Sequence, residues 1–247
     1  MSLRKETPII KSSMSSISTL PAEGQDIRRY FDAIAVRYDF LNHLLSWRLD
    51  ESWRRRARDI VLEGWEESVL DLGIGTGKFI ALFDKAKDWK RIAGIDFSLP
   101  MLQRASSRLS SKIKLTAADF QKLPFKSGSF DLIISAFTLR SVREMNSFLS
   151  AVYDVLKKPG KAAFLCLTRP RNAFWKILYL PYLKFYLPVV GGLISGNRKA
   201  YQFLSSSVLQ FQEPDQTAEM MRETGFRDIE IRRFSFGMAT LITAKKI

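Results

Sequence analysis

The chain has 247 residues, enough for one well-buried domain, and its 46% hydrophobic and 26% charged residues are typical of a globular protein. Its 39 Lys and Arg against 25 Asp and Glu give a formal net charge of +14, which predicts an anionic partner surface, either a membrane leaflet or a nucleic acid. The single cysteine, Cys166, excludes an internal disulfide. Because there is also no Cys/His cluster at metal-ligand spacing, we predict no metal site and a reducing compartment.

We divide the chain into a tail and one domain. Residues 1–24 are rich in serine and lack an apolar stretch long enough for a signal peptide, so we expect a disordered tail. Residues 25–247 form the domain. It begins with helices over 25–64, where apolar residues recur at helical spacing up to Gly64, a candidate C-cap.

Short β-rich runs then alternate with helical windows. In chain order we predict strand 68–72, helix 77–86, strand 91–96, helix 99–110, strand 113–117, strand 130–136, helix 145–157, strand 161–168, helix 215–224, and an antiparallel hairpin of strands 226–234 and 237–245. Ser98 followed by Pro100 suits a helix start, and Pro159-Gly160 suits a helix stop. The alternation favours an α/β fold with a mostly parallel sheet covered by helices on both faces.

The stretch VLDLGIGTGKF (69–79) joins the first of these strands to a helix. Its glycines Gly73, Gly75 and Gly77 allow a tight turn and let the backbone approach a flat ligand. Lys78 stands where a dinucleotide-binding loop needs its last glycine, and the glycine and Ser/Thr positions of a Walker loop are also unfilled. The loop therefore favours a nucleoside without a phosphate.

Acidic residues follow three successive predicted strands. Asp71 ends the first, Asp96 comes 25 residues later where a carboxylate can accept hydrogen bonds from a ribose diol, and Asp119 with Phe120 follows the third. Three carboxylates around one crevice suit a cationic nucleoside, and the interpretation that they only cap neighbouring helices is the alternative. We therefore predict S-adenosylmethionine as the cofactor.

The chain resembles the class I methyltransferases and, from Tyr30 onward, the ubiquinone/menaquinone biosynthesis C-methyltransferase family. The motifs that carry the resemblance are YDFLNHLLS (38–46), LDLGIGTG (70–77), GIDFSLPML (94–102), DFQKLPFKSGSFD (119–131), FTLRSV (137–142) and SSSVLQFQEPDQTAEMMRETGF (205–226). It implies a Rossmann-like fold with a seven-stranded, mostly parallel sheet and a C-terminal antiparallel hairpin. Together with the loop, it predicts the cofactor-binding residues Asp71, Gly73, Gly75, Thr76, Gly77, Asp96, Phe97, Asp119 and Phe120.

The resemblance also implies methyl transfer to a carbon of a prenylated quinol, from demethylmenaquinol to menaquinol. Such chemistry needs partial loss of a phenol proton, so that charge develops on oxygen. We predict Arg140 as the cation that favours the phenolate, and Tyr38 or Asp39 as the group that relays the proton. His43, the only histidine, is an alternative base.

Residues 169–211 interrupt the strand–helix alternation. The segment interleaves aromatic residues with Arg169, Arg171, Lys176 and Lys184, a mixture typical of an interfacial segment near anionic headgroups. Its lysines and prolines disfavour a transmembrane span. A lid over the active site or a contact in a homo-oligomer stays open, and we predict a cytoplasmic enzyme at the inner face of the membrane.

Three other functions stay open at this point. One is a phospholipid (phosphatidylethanolamine) N-methyltransferase, which would share the glycine loop and an interfacial surface. Another is an RNA-binding protein or RNA methyltransferase, suggested by the net charge but disfavoured because the chain reads SAFT (135–138), without the N-P-P-Y type of loop. The third is a non-catalytic partner in a biosynthetic assembly, since FTLRS departs from the usual family motif.

Overall fold

The structure, a computed structural model, describes residues 9–10, 32, 43, 46, 48–119 and 121–247. Its strands are β1 (Ile9–Ile10), β2 (Ser68–Leu72), β3 (Arg91–Asp96), β4 (Lys114–Ala117), β5 (Phe130–Ala136), β6 (Leu156–Leu167), β7 (Arg227–Phe234) and β8 (Ala239–Lys246). Its α-helices are α1 (Leu49–Val61), α2 (Ile80–Asp84), α3 (Leu99–Arg108), α4 (Met145–Val155), α5 (Ala173–Pro181), α6 (Leu187–Ser195), α7 (Arg198–Gln210) and α8 (Pro214–Thr224). A π-helix, Tyr182–Tyr186, joins α5 to α6.

The strands form one sheet in the order β1-β4-β3-β2-β5-β6-β8-β7. Strands β1 to β6 are parallel to one another, and β8 lies antiparallel to both β6 and β7. The predicted seven-stranded sheet with a C-terminal antiparallel hairpin is confirmed by β2 to β8. Strand β1 adds two residues to the edge beside β4, within the segment predicted as a tail; the other residues of 1–24 lie outside the described part of the chain.

The centre of the sheet is apolar on both faces because helices cover both. All five residues of β2 are buried, and their side chains alternate between two clusters. Val69 packs with residues of α1, α2 and α3. Leu70 and Leu72 pack on the other face with residues of α4 and α8. Sequence order reverses beside β2, since β3 lies on one side and β5 on the other, and this arrangement opens a crevice at the strand ends.

Several predicted boundaries differ from the structure. Helix α1 ends at Val61 with Leu62 as its C-cap, so the prediction of Gly64 as the C-cap is wrong. The buried Glu66 carboxylate accepts the Gly64 N–H at 2.9 Å and turns the chain there instead. Helix α2 is shorter than predicted because the glycine loop takes up the residues before Ile80. At the start of α3, Ser98 accepts a hydrogen bond from the Met101 N–H, which confirms the predicted cap.

Strand β6 also departs from the prediction, because it begins at Leu156 rather than at 161. Helix α4 has already ended there, and Pro159-Gly160 lies inside a bulge of β6 instead of ending the helix. Cys166 lies in this strand and is buried, and burial raises the pKa of its thiol to about 12. It is therefore the small buried side chain that its apolar strand predicts.

The segment 169–211 is helical. Helices α5, α6 and α7, together with the π-helix, pack on a small core of their own that includes Tyr179, Leu183 and Tyr201. Within the described part of the chain, the run Ala173–Ile194 is long and apolar enough to cross a membrane by length and composition alone. About a third of that run is buried against the protein.

Phe226 offers a test of the packing between α4 and α8. It is fully buried, and its ring meets the Tyr153 ring edge to face with centroids 5.0 Å apart. We expect Phe226→Ala to lower the free energy of unfolding by about 3–5 kcal/mol, because it leaves a cavity in the core. Denaturant titration measures the change. The exposed Ile247→Ala should change stability by less than about 0.5 kcal/mol, and an equally small effect at Phe226 would contradict this packing.

Candidate active site

The loop between β2 and α2 is shaped by its glycines. Gly73 and Gly75 have φ angles of 68° and 55°, which residues with a Cβ rarely adopt. The Ile74 N–H donates to the Ile95 carbonyl at 2.9 Å and ties the loop to β3. A Cβ at Gly73 would lie 2.5 Å from the Thr138 side chain, whereas one at Gly75 would meet nothing within 4 Å. The backbone at Gly75 therefore faces open space, where a ligand can approach it.

Helix α3 anchors the far end of the same loop. Arg108 Nη1 donates to both the carbonyl and the hydroxyl of Thr76, each at 2.9 Å. Gly77 lies against Leu109, since a Cβ there would approach its side chain to 2.7 Å. These contacts fix the loop's shape. Because Arg108 already engages the Thr76 hydroxyl, the contact of Thr76 with the cofactor stays a prediction.

Asp96 ends β3 and is held by the backbone of two loops. Its Oδ2 accepts the Gly75 N–H at 2.8 Å, and its Oδ1 accepts the Ser98 N–H at 2.9 Å. Burial raises the pKa of this carboxyl to about 6, against the effect of these two hydrogen bonds, and Asp32 raises it further. A carboxylate has about four acceptor positions. The Phe97 backbone also bonds to this carboxyl, and the acceptor capacity that remains is open to a ligand such as a ribose diol.

Asp71 lies on the neighbouring strand and is almost completely buried. Within the described residues, neither of its carboxyl oxygens has a hydrogen-bond partner at normal geometry, although the Ile80 backbone lies close enough to lower the pKa of the group. Burial raises the pKa of Asp71 well above its usual range, the Arg54 guanidinium lowers it, and the Asp96 carboxyl raises it again. A buried acid without a partner is costly, and a nearby cation removes that cost. The ammonium and sulfonium of S-adenosylmethionine supply such charge, so these residues fit the cofactor.

The other predicted cofactor residues lie around the third strand end. The Ala118 N–H donates to the Asp96 carbonyl at 3.1 Å, which brings the end of β4 beside that of β3. Asp119 is buried, and its Oδ1 accepts the Gln121 N–H at 2.9 Å. Phe97 packs into the core, and Phe120 lies outside the described residues. The structure brings Asp119 to the crevice, but the cofactor contacts of these residues stay predictions.

A cavity of about 530 Å³ lies between α1, the end of β5 and helices α5 to α7. Its lining is mainly apolar and aromatic, with Trp53, Phe137, Trp175 and Leu183 among the wall residues. The cavity adjoins the cofactor loop, because Phe137 lines it and the next residue along the chain packs against Gly73. An apolar acceptor in this cavity would therefore lie next to the cofactor.

Two buried charged side chains belong to the cavity wall. Arg54 Nη1 donates to Asp50 Oδ2 at 2.6 Å, and the Arg54 Cζ lies 4.8 Å from the centroid of the Phe137 ring. Ser46 Oγ donates to Asp50 Oδ1 at 2.9 Å, and His43 Nδ1 lies 3.3 Å from the same oxygen. Burial raises the pKa of Asp50, but Arg54 and Ser46 outweigh it, so the pKa lies below its usual value. Asp50 is thus ionised at neutral pH.

Asp50 and Arg54 are not among the predicted site residues, although the sequence of α1 carries a signal for them. Both lie on the buried stripe of the helix with Trp53, Ala57 and Val61. Opposite charges four residues apart on an apolar stripe are expected to be buried as a pair. Such a pair marks a candidate site.

Of the three predicted catalytic residues, Arg140 is the one within the described chain. It lies in the 3₁₀ turn Leu139–Ser141 and lines the cavity, and its Nη1 donates to Ser207 Oγ at 2.8 Å. Tyr38 and Asp39 lie outside the described residues, so their roles stay predictions.

Comparison with known proteins gives consistent matches. A sequence model of the ubiE/COQ5 methyltransferase family matches residues 20–246. A demethylmenaquinone methyltransferase of Thermotoga maritima is 42% identical over 199 residues, covering 80% of this chain and 86% of that protein. The ubiquinone/menaquinone biosynthesis C-methyltransferase UbiE of Geotalea daltonii is 36% identical over 233 residues, covering 92% and 99%. Among solved structures, a methyltransferase from Thermotoga maritima, described as a possible histamine N-methyltransferase, matches with a TM-score of 0.65 at 18% identity. The match covers 90% of this chain and 100% of that one, and it supports the fold.

The pKa of Asp96 predicts how cofactor binding depends on pH. A ribose diol donates to the ionised carboxylate, so binding competes with protonation, and the affinity for S-adenosylmethionine should fall by up to about tenfold per pH unit below pH 6. Calorimetric titrations between pH 5 and pH 8 measure this. Asp96→Asn should weaken binding at pH 8 and flatten the dependence near pH 6. The exposed Asp88→Asn is the control, and an unchanged profile in Asp96→Asn would contradict the assignment.

Proposed function

Since the chain belongs to the ubiE/COQ5 methyltransferase family and is an S-adenosylmethionine-dependent methyltransferase, we propose that it methylates a ring carbon of a reduced, prenylated quinone. The names of the relatives, which refer to demethylmenaquinone and to ubiquinone/menaquinone biosynthesis, support demethylmenaquinol as the acceptor. The observation that carries the proposal is the apolar cavity beside the cofactor loop.

The cavity suits a flat aromatic head group. Its volume of about 530 Å³ falls within the roughly 300–1,000 Å³ of small-molecule sites. The rings of Trp53, Phe137 and Trp175 offer faces and edges against which a quinol ring can pack. Arg54 and Arg140 place two positive charges in a wall that is otherwise mainly apolar, and the Asp50 carboxylate paired with Arg54 offsets one of them. The remaining positive charge favours an acceptor that develops negative charge on oxygen.

The proposed chemistry divides between the cofactor and the chain. S-adenosylmethionine supplies an electrophilic methyl group when bound. The acceptor carbon becomes nucleophilic as the neighbouring phenol loses its proton, and a guanidinium such as that of Arg140 favours the resulting charge on oxygen. The cavity walls hold the ring in one orientation, and oriented encounter can be worth about 7–11 kcal/mol. Positioning therefore supplies most of the expected acceleration.

The alternative functions have less support. A phospholipid N-methyltransferase acts on an amine. The cavity wall holds Arg54, Arg140 and ionised Asp50, and because Asp50 is already paired with Arg54, the net charge of the three is positive and repels a protonated amine. A nucleobase acceptor needs hydrogen-bonding groups for its edges, whereas the cavity lining is mainly apolar. A non-catalytic partner would not need an acceptor cavity beside the cofactor loop.

An activity assay tests the proposed reaction. Purified protein incubated anaerobically in detergent with labelled S-adenosylmethionine and reduced demethylmenaquinone should give a carbon-methylated quinone, identified by mass spectrometry. Arg140→Ala should lower kcat/KM by about 100-fold, because a donor to the developing oxyanion is lost. Methylated phosphatidylethanolamine with no methylated quinol would contradict the proposal.

We also propose that the enzyme works at the cytoplasmic face of the membrane, through an exposed apolar surface on α5, α6 and the π-helix. We call the side chains of Phe174, Ile177, Phe185, Val189 and Leu193 the lipid-facing surface. Ile177 is 71% exposed and Leu193 is 80% exposed. Four of the five recur at multiples of four residues along one continuous helical run. A patch of this kind on a protein surface marks an interaction site.

The acceptor cavity reaches the same surface. Leu178 lines the cavity and is itself exposed, and Trp175 lines the cavity beside it. Phe236, from the turn between β7 and β8, stacks on Trp175 with centroids 4.0 Å apart and is largely exposed. A prenyl tail could therefore extend from the cavity into lipid while its ring stays beside the cofactor.

The charge of the segment suits an anionic membrane. Residues 169–212 contain six Lys and Arg and no Asp or Glu. Arg169 and Arg171, which the sequence predicts at the headgroups, instead form ion pairs with acidic residues at the start of α8. Lys176 and Lys184 are exposed within the helical run. These two lysines are therefore the better candidates to contact anionic lipid.

Vesicle binding tests this surface. We expect the protein to bind vesicles containing phosphatidylglycerol, and Ile177→Ser/Leu193→Ser to weaken that binding by at least about tenfold, because two large apolar side chains no longer enter lipid. Co-sedimentation measures the effect. Trp65→Ser removes an exposed aromatic residue outside the lipid-facing surface and is the control. The proposal would be contradicted if the wild-type protein did not bind vesicles but formed dimers, and if the double variant abolished those dimers. That outcome would show that the surface is a protein contact.

A further inference from the structure

We propose that Arg54 is a catalytic residue, whose guanidinium binds the acceptor oxygen next to the carbon that is methylated. This inference rests on the proposed quinol methylation and adds to it a residue that binds the reacting group. Arg140 alone was predicted from the sequence as the cation that favours the phenolate, and the proposal adds a second such cation on α1.

The first observation is a buried donor in the cavity wall. Arg54 is only 7% exposed, and its ion pair with Asp50 uses Nη1, at 2.6 Å from the carboxylate and 3.2 Å from the backbone carbonyl. Arg54 Nε is buried and has no hydrogen-bond partner among the residues that the structure describes. That nitrogen has almost no accessible surface, so it is not the atom that meets a ligand. Arg54 nevertheless lines the cavity, so an acceptor there can meet the part of the guanidinium that borders it.

The second observation is the position of Arg54 between the two candidate sites. The guanidinium acts electrostatically on the Asp71 carboxyl of the cofactor site. It also lies 4.8 Å from the centroid of the Phe137 ring, in the cavity wall. Thr138, next in the chain, packs against Gly73 of the cofactor loop. A quinol ring packed near Phe137 can thus present its oxygen to Arg54 and its neighbouring carbon to the cofactor.

The chemistry balances without any redox partner. The ring carbon forms a bond to the methyl group as the methyl–sulfur bond breaks, and the electron pair of that bond stays on sulfur. The phenol and then the ring carbon each release a proton, and the oxygen regains one when the phenol reforms. The net reaction releases one proton. Arg54 remains protonated throughout and stabilises the negative charge on oxygen, while ionised Asp50 fixes the orientation of the guanidinium.

The test compares four variants with two acceptors. Arg54→Met removes the cation, Arg54→Lys keeps a charge that can pair with Asp50, and Asp50→Leu/Arg54→Met removes the buried pair together, which folded proteins often tolerate. Arg55→Met is the matched control on α1, because the Arg55 side chain is 64% exposed and pairs with Glu51. The acceptors are reduced demethylmenaquinone and an analogue whose electron-withdrawing substituent makes its phenol more acidic.

We expect Arg54→Met to lower kcat/KM for reduced demethylmenaquinone by at least about 100-fold. The double variant should show a similar loss, and Arg54→Lys should recover at least tenfold. The loss should be smaller with the more acidic acceptor, since its oxygen needs less help to carry charge. Circular dichroism and calorimetry with S-adenosylmethionine verify folding and cofactor binding, and Arg55→Met should match the wild type.

Two results would overturn the proposal while leaving the proposed function intact. One is a folded Arg54→Met enzyme with activity within threefold of the wild type. The other is an equal loss with both acceptors that Arg54→Lys does not relieve, which indicates a structural pair. If Arg54→Met does not fold, the double variant and Arg54→Lys decide in the same way. A wild type that methylates neither quinol would instead refute the proposed function, and this inference with it.

Discussion

The structure depends on the burial of two carboxyl groups, Asp71 and Asp96, at the ends of adjacent parallel strands. Burial raises the pKa of both groups, and for Asp71 the neighbouring acid adds to the effect. A fold that keeps such a pair has lost solvation that only a cation or hydrogen-bond donors restore. The glycine loop leaves space beside these acids, and the sheet reverses its order there. A cationic nucleoside is the ligand that satisfies both conditions.

The positive charge of the cofactor also determines which kind of acceptor can bind beside it. A positively charged cofactor cannot be joined by a second cation without cost, whereas an acceptor that develops negative charge on oxygen is attracted to it. Arg54 contributes to both the cofactor site and the acceptor cavity, because its charge lowers the pKa of Asp71 and its side chain lines the apolar cavity. The cavity in turn reaches an exposed apolar helical surface. In the proposed function, cofactor, acceptor and lipid occupy a continuous path, which suits a substrate with a polar ring and a long apolar tail.

Much of the fold could be predicted because local patterns determine it. Strands β2, β3 and β5 have the predicted bounds, and Ser98 caps α3 as its spacing indicates. The acids Asp71, Asp96 and Asp119 lie at neighbouring strand ends, as expected because the carboxyl ends of parallel strands meet at one edge, and their contacts with the cofactor stay a prediction. Gly64 and Pro159-Gly160 were predicted to end helices, but tertiary contacts outweigh these turn residues. The Glu66 carboxylate turns the chain after α1, and a bulge in β6 accommodates the proline.

The acceptor cavity could not be derived in the same way. Its walls come from α1, the end of β5 and the helices of 169–211, which are far apart in sequence, and no short motif joins them. Asp50 and Arg54 lie four residues apart on the apolar stripe of α1, which indicates a buried pair, but their place in a cavity wall depends on residues far away in the sequence. Arg169 was predicted to lie near the lipid headgroups, but its guanidinium instead donates to Glu213 and to backbone carbonyls at the end of α7. Such partners are visible only in three dimensions.

A crystal structure of the protein with S-adenosylmethionine would show whether the two buried carboxyl groups bind the cofactor. We expect the ribose hydroxyls within hydrogen-bond distance of the Asp96 carboxylate, the cationic end of the cofactor beside Asp71, and the methyl group directed toward the Phe137 side of the cavity. A bound cofactor that leaves both carboxyl groups without contact, or that directs its methyl group away from the cavity, would contradict this expectation.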